Sequence, residues 1–131
     1  MKGRGGILPF LYKMKEKIIL FTRVPKEGTT KTRLYNFVQP KQAVEIQTKL
    51  LKKNYDLLAS LNKKLLVFHD GDREDDDYMR SIISADKFFY QRGENLGYKM
   101  YNAIKDVIED GDKVILLGSD IANLSQNIID M

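Results

Sequence analysis

Four cations crowd one short stretch, FTRVPKEGTTKTRL (residues 21–34): Arg23, Lys26, Lys31 and Arg33, on a loop that also holds Pro25 and Gly28. A loop rich in backbone amides and cations is a good receptor for a diphosphate. Glycine lets the main chain approach a ligand closely, and arginine grips phosphate through two nitrogens. The run GTTKT is not a Walker A loop, because that pattern needs glycine directly before the lysine and Thr30 stands there. A P-loop nucleotide hydrolase is therefore excluded. Taken alone, the segment reads equally well as a solvated basic loop.

Asp120 closes LLGSD, and a carboxylate at the tip of a buried strand is placed to hold Mg²⁺ or Mn²⁺ that also bridges phosphates. The competing reading, favoured without other evidence, is a helix N-cap at Ser119 or Asp120. QRGENLGYKM offers Gln91 as an amide reader, Gly93 and Gly97 as turn or close-approach positions, and Asn95 as a cap. A plain loop-to-helix junction explains Asn95 but not why Gln91 ends an aromatic strand. DGDREDDD (70–77) lacks the glycine and glutamate spacing of an EF-hand and reads as a solvated helix start. His69 reads as a strand-end polar residue with no acid–base partner evident from spacing.

These residues must be positioned by alternating elements. Lys17–Thr22 reads as a strand covered on both faces. Residues 40–61 read as a helix with Pro40 in its first turn and Val44, Gln47, Leu51, Tyr55 and Leu58 on one stripe, widened by Leu50, Leu57 and Leu61. A strand at 63–70 ends in a DGD turn. A short helix from about Glu74 to Ile83 turns Tyr78, Met79, Ile82 and Ile83 inward, and a short aromatic strand spans 87–91. A helix over 95–109 repeats Leu96, Met100, Ala103, Ile104, Val107 and Ile108 and is stopped by Gly111. A strand at 113–120 follows, and another helix is expected near Ser125.

Strands alternating with helices imply parallel β-α-β units with right-handed crossovers, whose ligands bind beyond the carboxyl ends of the strands. Every unusual cluster falls at such an end. The run VILLG looks buried on both faces and is expected centrally, yet few residues follow it. A long apolar edge invites aggregation. The expectation is that the chain is the front part of a larger domain, with a homo-oligomer covering the 113–118 edge as the alternative.

The chain has 131 residues, enough for one domain, with 43% hydrophobic and 31% charged residues. No apolar run reaches the roughly 18 residues of a bilayer span. The absence of cysteine excludes disulfides, thiolate metal sites and a cysteine nucleophile, and it fits a cytoplasmic protein. One histidine excludes a histidine-rich zinc site, so any metal is a hard cation held by oxygen. A net charge of +4 permits a phosphate-bearing partner without demanding one. Nucleic-acid binding is not expected, because the basic residues gather at one loop without an aromatic-basic stripe. MKGRGGILPFLYK reads as neither signal peptide nor anchor. Residues 1–13 are expected to form an extension, with the domain running from Met14 to Met131.

Three segments in order, FTRVPKEGTTKTRL, QRGENLGYKM and VILLGSDIANL, resemble the conserved blocks of an uncharacterised microbial glycosyltransferase-like family. Its members are often labelled radical-SAM/selenodomain-associated transferases and belong to the nucleotide-diphospho-sugar transferase superfamily. The resemblance covers about residues 17–126. It implies the glycosyltransferase-A fold, a Rossmann-like three-layer α/β/α sandwich with a mostly parallel sheet, here expected to be truncated. By similarity, Arg23, Lys31, Thr32 and Arg33 would face the nucleotide phosphates. Gln91 with Asn95, Leu96 and Gly97 would shape the nucleotide or sugar pocket, and Asp120 would bind the divalent metal. The chain departs from the pattern at Ala122, where proline is usual, at Asn95, where aspartate is common, and by ending before a DGGY-like acceptor-side segment.

The resemblance implies a metal-dependent glycosyltransferase that uses a nucleotide sugar. Two other functions remain open. One is a nucleotidyltransferase taking a nucleoside triphosphate and releasing pyrophosphate. The other is a non-catalytic nucleotide-binding or assembly protein, since the acceptor-side segment is absent. Catalytic residues are not assigned.

Overall fold

The computed structural model describes residues 15–120. They form strands β1 (Glu16–Thr22), β2 (Lys64–His69), β3 (Phe88–Tyr90) and β4 (Lys113–Gly118), and helices α1 (Pro40–Ala59), α2 (Asp76–Ile82) and α3 (Leu96–Val107). Short 3-10 turns at Thr32–Leu34 and Arg73–Asp75 complete the connections. The extension over 1–13, the domain limits at 14 and 131, Ala122 and the helix near Ser125 lie outside the described residues. Among the described residues, no helix is long and apolar enough to cross a membrane.

All four strands are parallel, in the order β3-β2-β1-β4. The chain steps outward from β1 to β2 to β3, then crosses back to pair β4 with the free side of β1. Right-handed crossovers in opposite directions must lie on opposite faces of a sheet. The core divides accordingly. Ile18, Leu20 and Val67 pack with Leu51 and Leu58 of α1 and Met79 of α2. Ile19, Phe21, Leu66 and Phe68 pack with Ala103, Met100, Ile104 and Val107 on the α3 side. The unbroken apolar run of β1 is thus explained by cover on both faces. The architecture is the α/β sandwich that the sequence implies.

Several details differ from the sequence reading. β4 is the outer strand of the described sheet, and β1 takes the central place. Val114 and Leu116 face one layer while Ile115 and Leu117 face the other, so both faces of β4 contact the core. Covered faces alone produce an apolar run; they do not report whether a strand's edge is paired. On α1 the buried stripe is Ala43, Gln47, Leu51, Asn54 and Leu58, rotated slightly from the expected one, with Val44 and Tyr55 at its margin. α3 ends at Val107, before Gly111. Glu109 and Asp112 close the next turn through their backbone and the Asp112 carboxylate, and Gly111 supplies its positive φ of 82°. Leu96 and Ile108, expected inward, are exposed at the two ends of α3, as is Tyr78 on α2.

At the amino end of the sheet, Lys17 is buried on the central strand. Its Nζ lies 2.7 Å from Asp112 Oδ2 and 3.2 Å from Glu109 Oε2, and it donates to the Val107 carbonyl at 2.7 Å. The hydrogen bond with Asp112 lifts the Lys17 ammonium above its usual range and holds the Asp112 carboxyl below its own. A lowered carboxylate contributes stability that is present above the ordinary value of about 3.9 and lost as pH falls through the folded-state value.

Leu51→Ala should lower unfolding free energy by about 2–5 kcal/mol in urea titrations, as enclosed leucines do when truncated. Lys17→Met should lower the urea midpoint strongly at pH 7, where Asp112 is left as a buried unpaired anion. The gap from wild type should narrow at pH 3.5, as Asp112 takes a proton in the variant and the pair weakens in the parent.

Candidate functional site

The strands end level with one another. Thr22 stands opposite His69, His69 opposite Tyr90, and Phe21 opposite Gly118. The residues that follow, Arg23, Asp70, Gln91 and Ser119 with Asp120, therefore leave the sheet at a common height. The strand order reverses between β1 and β4, and such a reversal opens a crevice above the carboxyl ends.

A buried polar floor underlies that crevice. Ser119 Oγ donates to Thr22 Oγ1 at 2.9 Å, and Thr22 Oγ1 donates to the Arg23 carbonyl at 2.9 Å. From α1, Gln47 Nε2 donates to Ser119 Oγ at 3.0 Å and Asn54 Nδ2 to the Ser119 carbonyl at 2.7 Å. Gln91 Nε2 donates to the carbonyls of Thr22 and Phe68 at 3.1 and 3.2 Å, while its backbone N–H donates to His69. Asp70 Oδ1 accepts the Val24 N–H at 2.8 Å. Strand-end groups that would otherwise be orphaned are thus satisfied by side chains. Gln91 ends the aromatic strand because its amide closes two neighbouring strands.

Two cavities open on this floor. The larger, of about 410 Å³, lies between the strand ends and the first turn of α3 and is lined by Arg23, Gln47, Asp70, Gln91, Leu96, Lys99, Ser119 and Asp120, among others. The smaller, of about 160 Å³, lies on the basic-loop side and is lined by Arg23, Thr29, Lys31, Thr32, Arg33, Gln47 and Asp120. Arg23, Gln47 and Asp120 line both, so the cavities adjoin along these three residues.

The basic loop is held in shape from within. Thr30 is buried and its Oγ1 accepts the Lys26 N–H at 2.7 Å, while Gly28 N–H donates to the Tyr35 hydroxyl at 2.8 Å. Lys26 pairs with Asp75 at 3.3 Å. Lys31 sits in the left-handed region at φ 48°, which a non-glycine residue adopts only when its surroundings enforce it. Arg23, Lys31 and Arg33 pair with no carboxylate among the described residues, and all three line the smaller cavity. Asn95 caps α3 by accepting the Tyr98 N–H at 2.9 Å, and Gly97 follows on the exposed first turn. Leu96 is 64% exposed at the mouth of the larger cavity. At Gly93, φ is 146° and a Cβ would come within 2.8 Å of the Lys99 nitrogen, so only glycine lets this loop lie against α3.

No group of three His, Asp or Glu side chains that could hold a metal gathers among the described residues. Asp120, which lines both cavities, could hold a cation together with oxygen atoms of water or of a phosphate. That donor set suits Mg²⁺ or Mn²⁺, which bind through one or two carboxylates plus substrate phosphates.

The acidic run is more engaged than a solvated helix start. Asp72 accepts the Glu74 N–H, Asp75 accepts the Asp72 N–H, and Asp76 meets His69, which is fully buried. Gly71 N–H donates to His69 Nδ1 at 3.0 Å, leaving Nε2 to donate to Asp76 Oδ1 at 2.9 Å, while Tyr90 donates to Asp76 Oδ2 at 2.7 Å. Burial pushes the Asp76 carboxyl up, but the hydrogen bonds from Tyr90 and His69 outweigh it and hold it below the usual range. The partner of His69 is seven residues away on the next helix, across a turn whose course no periodicity reveals. Gln47 was expected on a buried stripe without a polar task, Ser119 was weighed only as a helix cap, and Asp70 and Lys99 carried no isolated signal; the cavities bring them together.

Residues 54–131, more than half of the chain, match the family described as "Uncharacterized protein conserved in bacteria (DUF2064)". The chain belongs to this family. A crystal structure from Desulfovibrio desulfuricans G20, of a protein inferred to be a nucleotide-diphospho-sugar transferase, superimposes with a TM-score of 0.80 at 26% identity. The match covers 90% of this chain and 52% of that one, so the chain spans about half the length of that relative. No curated protein matches it. The DUF2064 chain thus has the nucleotide-diphospho-sugar transferase-like family and fold that its three sequence blocks resemble.

Gln91→Leu should destabilise the fold by about 1–3 kcal/mol in urea titrations, because two strand-end carbonyls lose their donor. An unchanged midpoint would show that the Gln91 amide does not brace the strands.

Proposed function

We propose that the chain carries the donor-binding part of a metal-dependent glycosyltransferase whose substrate is a nucleotide-diphosphate sugar. The observation that carries this reading is the meeting of three unpaired cations and one strand-end carboxylate where the strand order reverses. Likeness to the Desulfovibrio protein supports the same substrate class.

In this reading Arg23, Lys31 and Arg33, with Thr32 beside them, face the diphosphate. Gln91, Asn95, Leu96 and Gly97 border the space for the nucleoside or sugar. Sugar transfer breaks the bond between the anomeric carbon and the diphosphate oxygen, forms a bond from that carbon to an acceptor hydroxyl oxygen, whose proton is released to water, and leaves the electron pair on the diphosphate. Negative charge grows there, so cations on the loop stabilise the transition state more than the ground state. Asp120 would hold Mg²⁺ or Mn²⁺, which when bound supplies further positive charge to the leaving diphosphate.

The test is a thermal-shift titration with UDP-, GDP- and dTDP-sugars and nucleoside triphosphates, each with and without Mn²⁺. A ligand at a hundred times its dissociation constant should add about 2.7 kcal/mol of stability. A Mn²⁺-dependent shift with a nucleotide sugar, lost in Asp120→Ala, is expected. A shift with triphosphates alone, with pyrophosphate released on turnover, would replace this reading with nucleotidyl transfer. No shift with any nucleotide, in a protein that melts cooperatively, would overturn both.

A further inference from the structure

The larger cavity has a cation of its own. Lys99 stands on the first turn of α3, is partly buried, lines the cavity with Arg23 and Asp120, and pairs with no carboxylate among the described residues. Asp106, the one acid on α3, is taken by Arg92. Asp70, the other carboxylate lining the cavity, already accepts the Val24 N–H. The remaining polar groups on that wall are engaged with one another: Gln91 Nε2 with two carbonyls, Ser119 Oγ with Thr22 and Gln47. Lys99 is thus the one cation that this wall offers to a ligand.

Its position relative to the loop gives the chemistry. Lys31 and Arg33 line only the smaller cavity, Lys99 lines only the larger, and Arg23 and Asp120 line both. The positive charge is therefore divided between two walls with Arg23 and Asp120 along the line where they meet. A ligand with two or more linked phosphates has one to offer each wall, whereas a phosphate monoester has one phosphate for both.

We propose that Lys99 is a phosphate-binding residue, the α3-side half of a two-walled cationic clamp, and that the clamp selects ligands with at least two linked phosphates over phosphate monoesters. This rests on the nucleotide-diphosphate reading given above and adds to it a residue and a rule of selection.

The experiment is calorimetric titration of the full chain, in Mn²⁺, with pyrophosphate, UDP, UMP and a UDP-sugar. Wild type is compared with Lys99→Met, Lys99→Arg and Lys105→Met, the last removing an exposed lysine from the next turns of the same helix. Loss of one charge-assisted phosphate contact should weaken pyrophosphate, UDP and UDP-sugar by roughly 10-fold or more in Lys99→Met, and reduce the steepness of their salt dependence. UMP affinity should change little, Lys99→Arg should restore much of the loss, and Lys105→Met should match wild type. Circular dichroism melts show that each variant is folded. Equal affinities in Lys99→Met and wild type, with UDP-sugar still bound, would overturn the clamp alone. Equal weakening of UMP and UDP would overturn the selection rule. Failure of wild type to bind pyrophosphate, UDP or UDP-sugar would overturn the reading on which the clamp rests.

Discussion

The polar groups at the carboxyl ends of β1 and β4 need hydrogen-bond partners, and the rest of the rim depends on how these are supplied. Two adjacent parallel strands bring carbonyls and hydroxyls to one buried level, where an unmade hydrogen bond costs about 1–3 kcal/mol. The chain closes this level with side chains from three elements: Gln47 and Asn54 from α1, Gln91 after β3, and Ser119 after β4. Because those donors are fixed by helix and sheet packing, Arg23 and Asp120 leave the floor from set positions. The local chemistry is exposed, but what aims it is enclosed.

The basic loop extends the same logic outward. Thr30 is folded in and Tyr35 reaches back to Gly28, so the loop is shaped by its own polar groups. Tyr78 of α2 donates to the Pro25 carbonyl at 3.0 Å, tying the loop to its neighbouring layer. Two of the acids between 70 and 77 brace this corner, Asp70 on Val24 and Asp75 on Lys26. One cation of the four is consumed in that bracing, and three remain outward.

Much of this was legible in the sequence. Apolar runs gave the strands to within one or two residues, since covered faces write themselves directly into residue type. The clusters at strand ends followed from the parallel order. What could not be read was pairwise and non-local. Asn54 looks like an ordinary exposed helix residue until Ser119, sixty-five positions later, presents a carbonyl to it. His69 looked partnerless because Asp76 reaches it only after a turn. The α1 stripe shifted because buried amides count as inward positions although hydropathy marks them as outward.

The ion pair of Lys17 with Asp112 sits at the opposite end of the sheet from the rim, and its effect is felt there. A parallel pair of apolar strands has little in its side chains to prevent sliding, because Val, Ile and Leu fill one another's places with small penalty. The buried Lys17 ammonium, held by Asp112 and Glu109 just ahead of β4, adds a polar marker to that register. If β4 slid by one residue, the side chains on its two covered faces would exchange layers, and Ser119 would lose its station opposite the end of β1. Lys17 and Asp112 thus align the start of β4 with β1 at the end of the sheet away from the cavities, eight residues before Asp120.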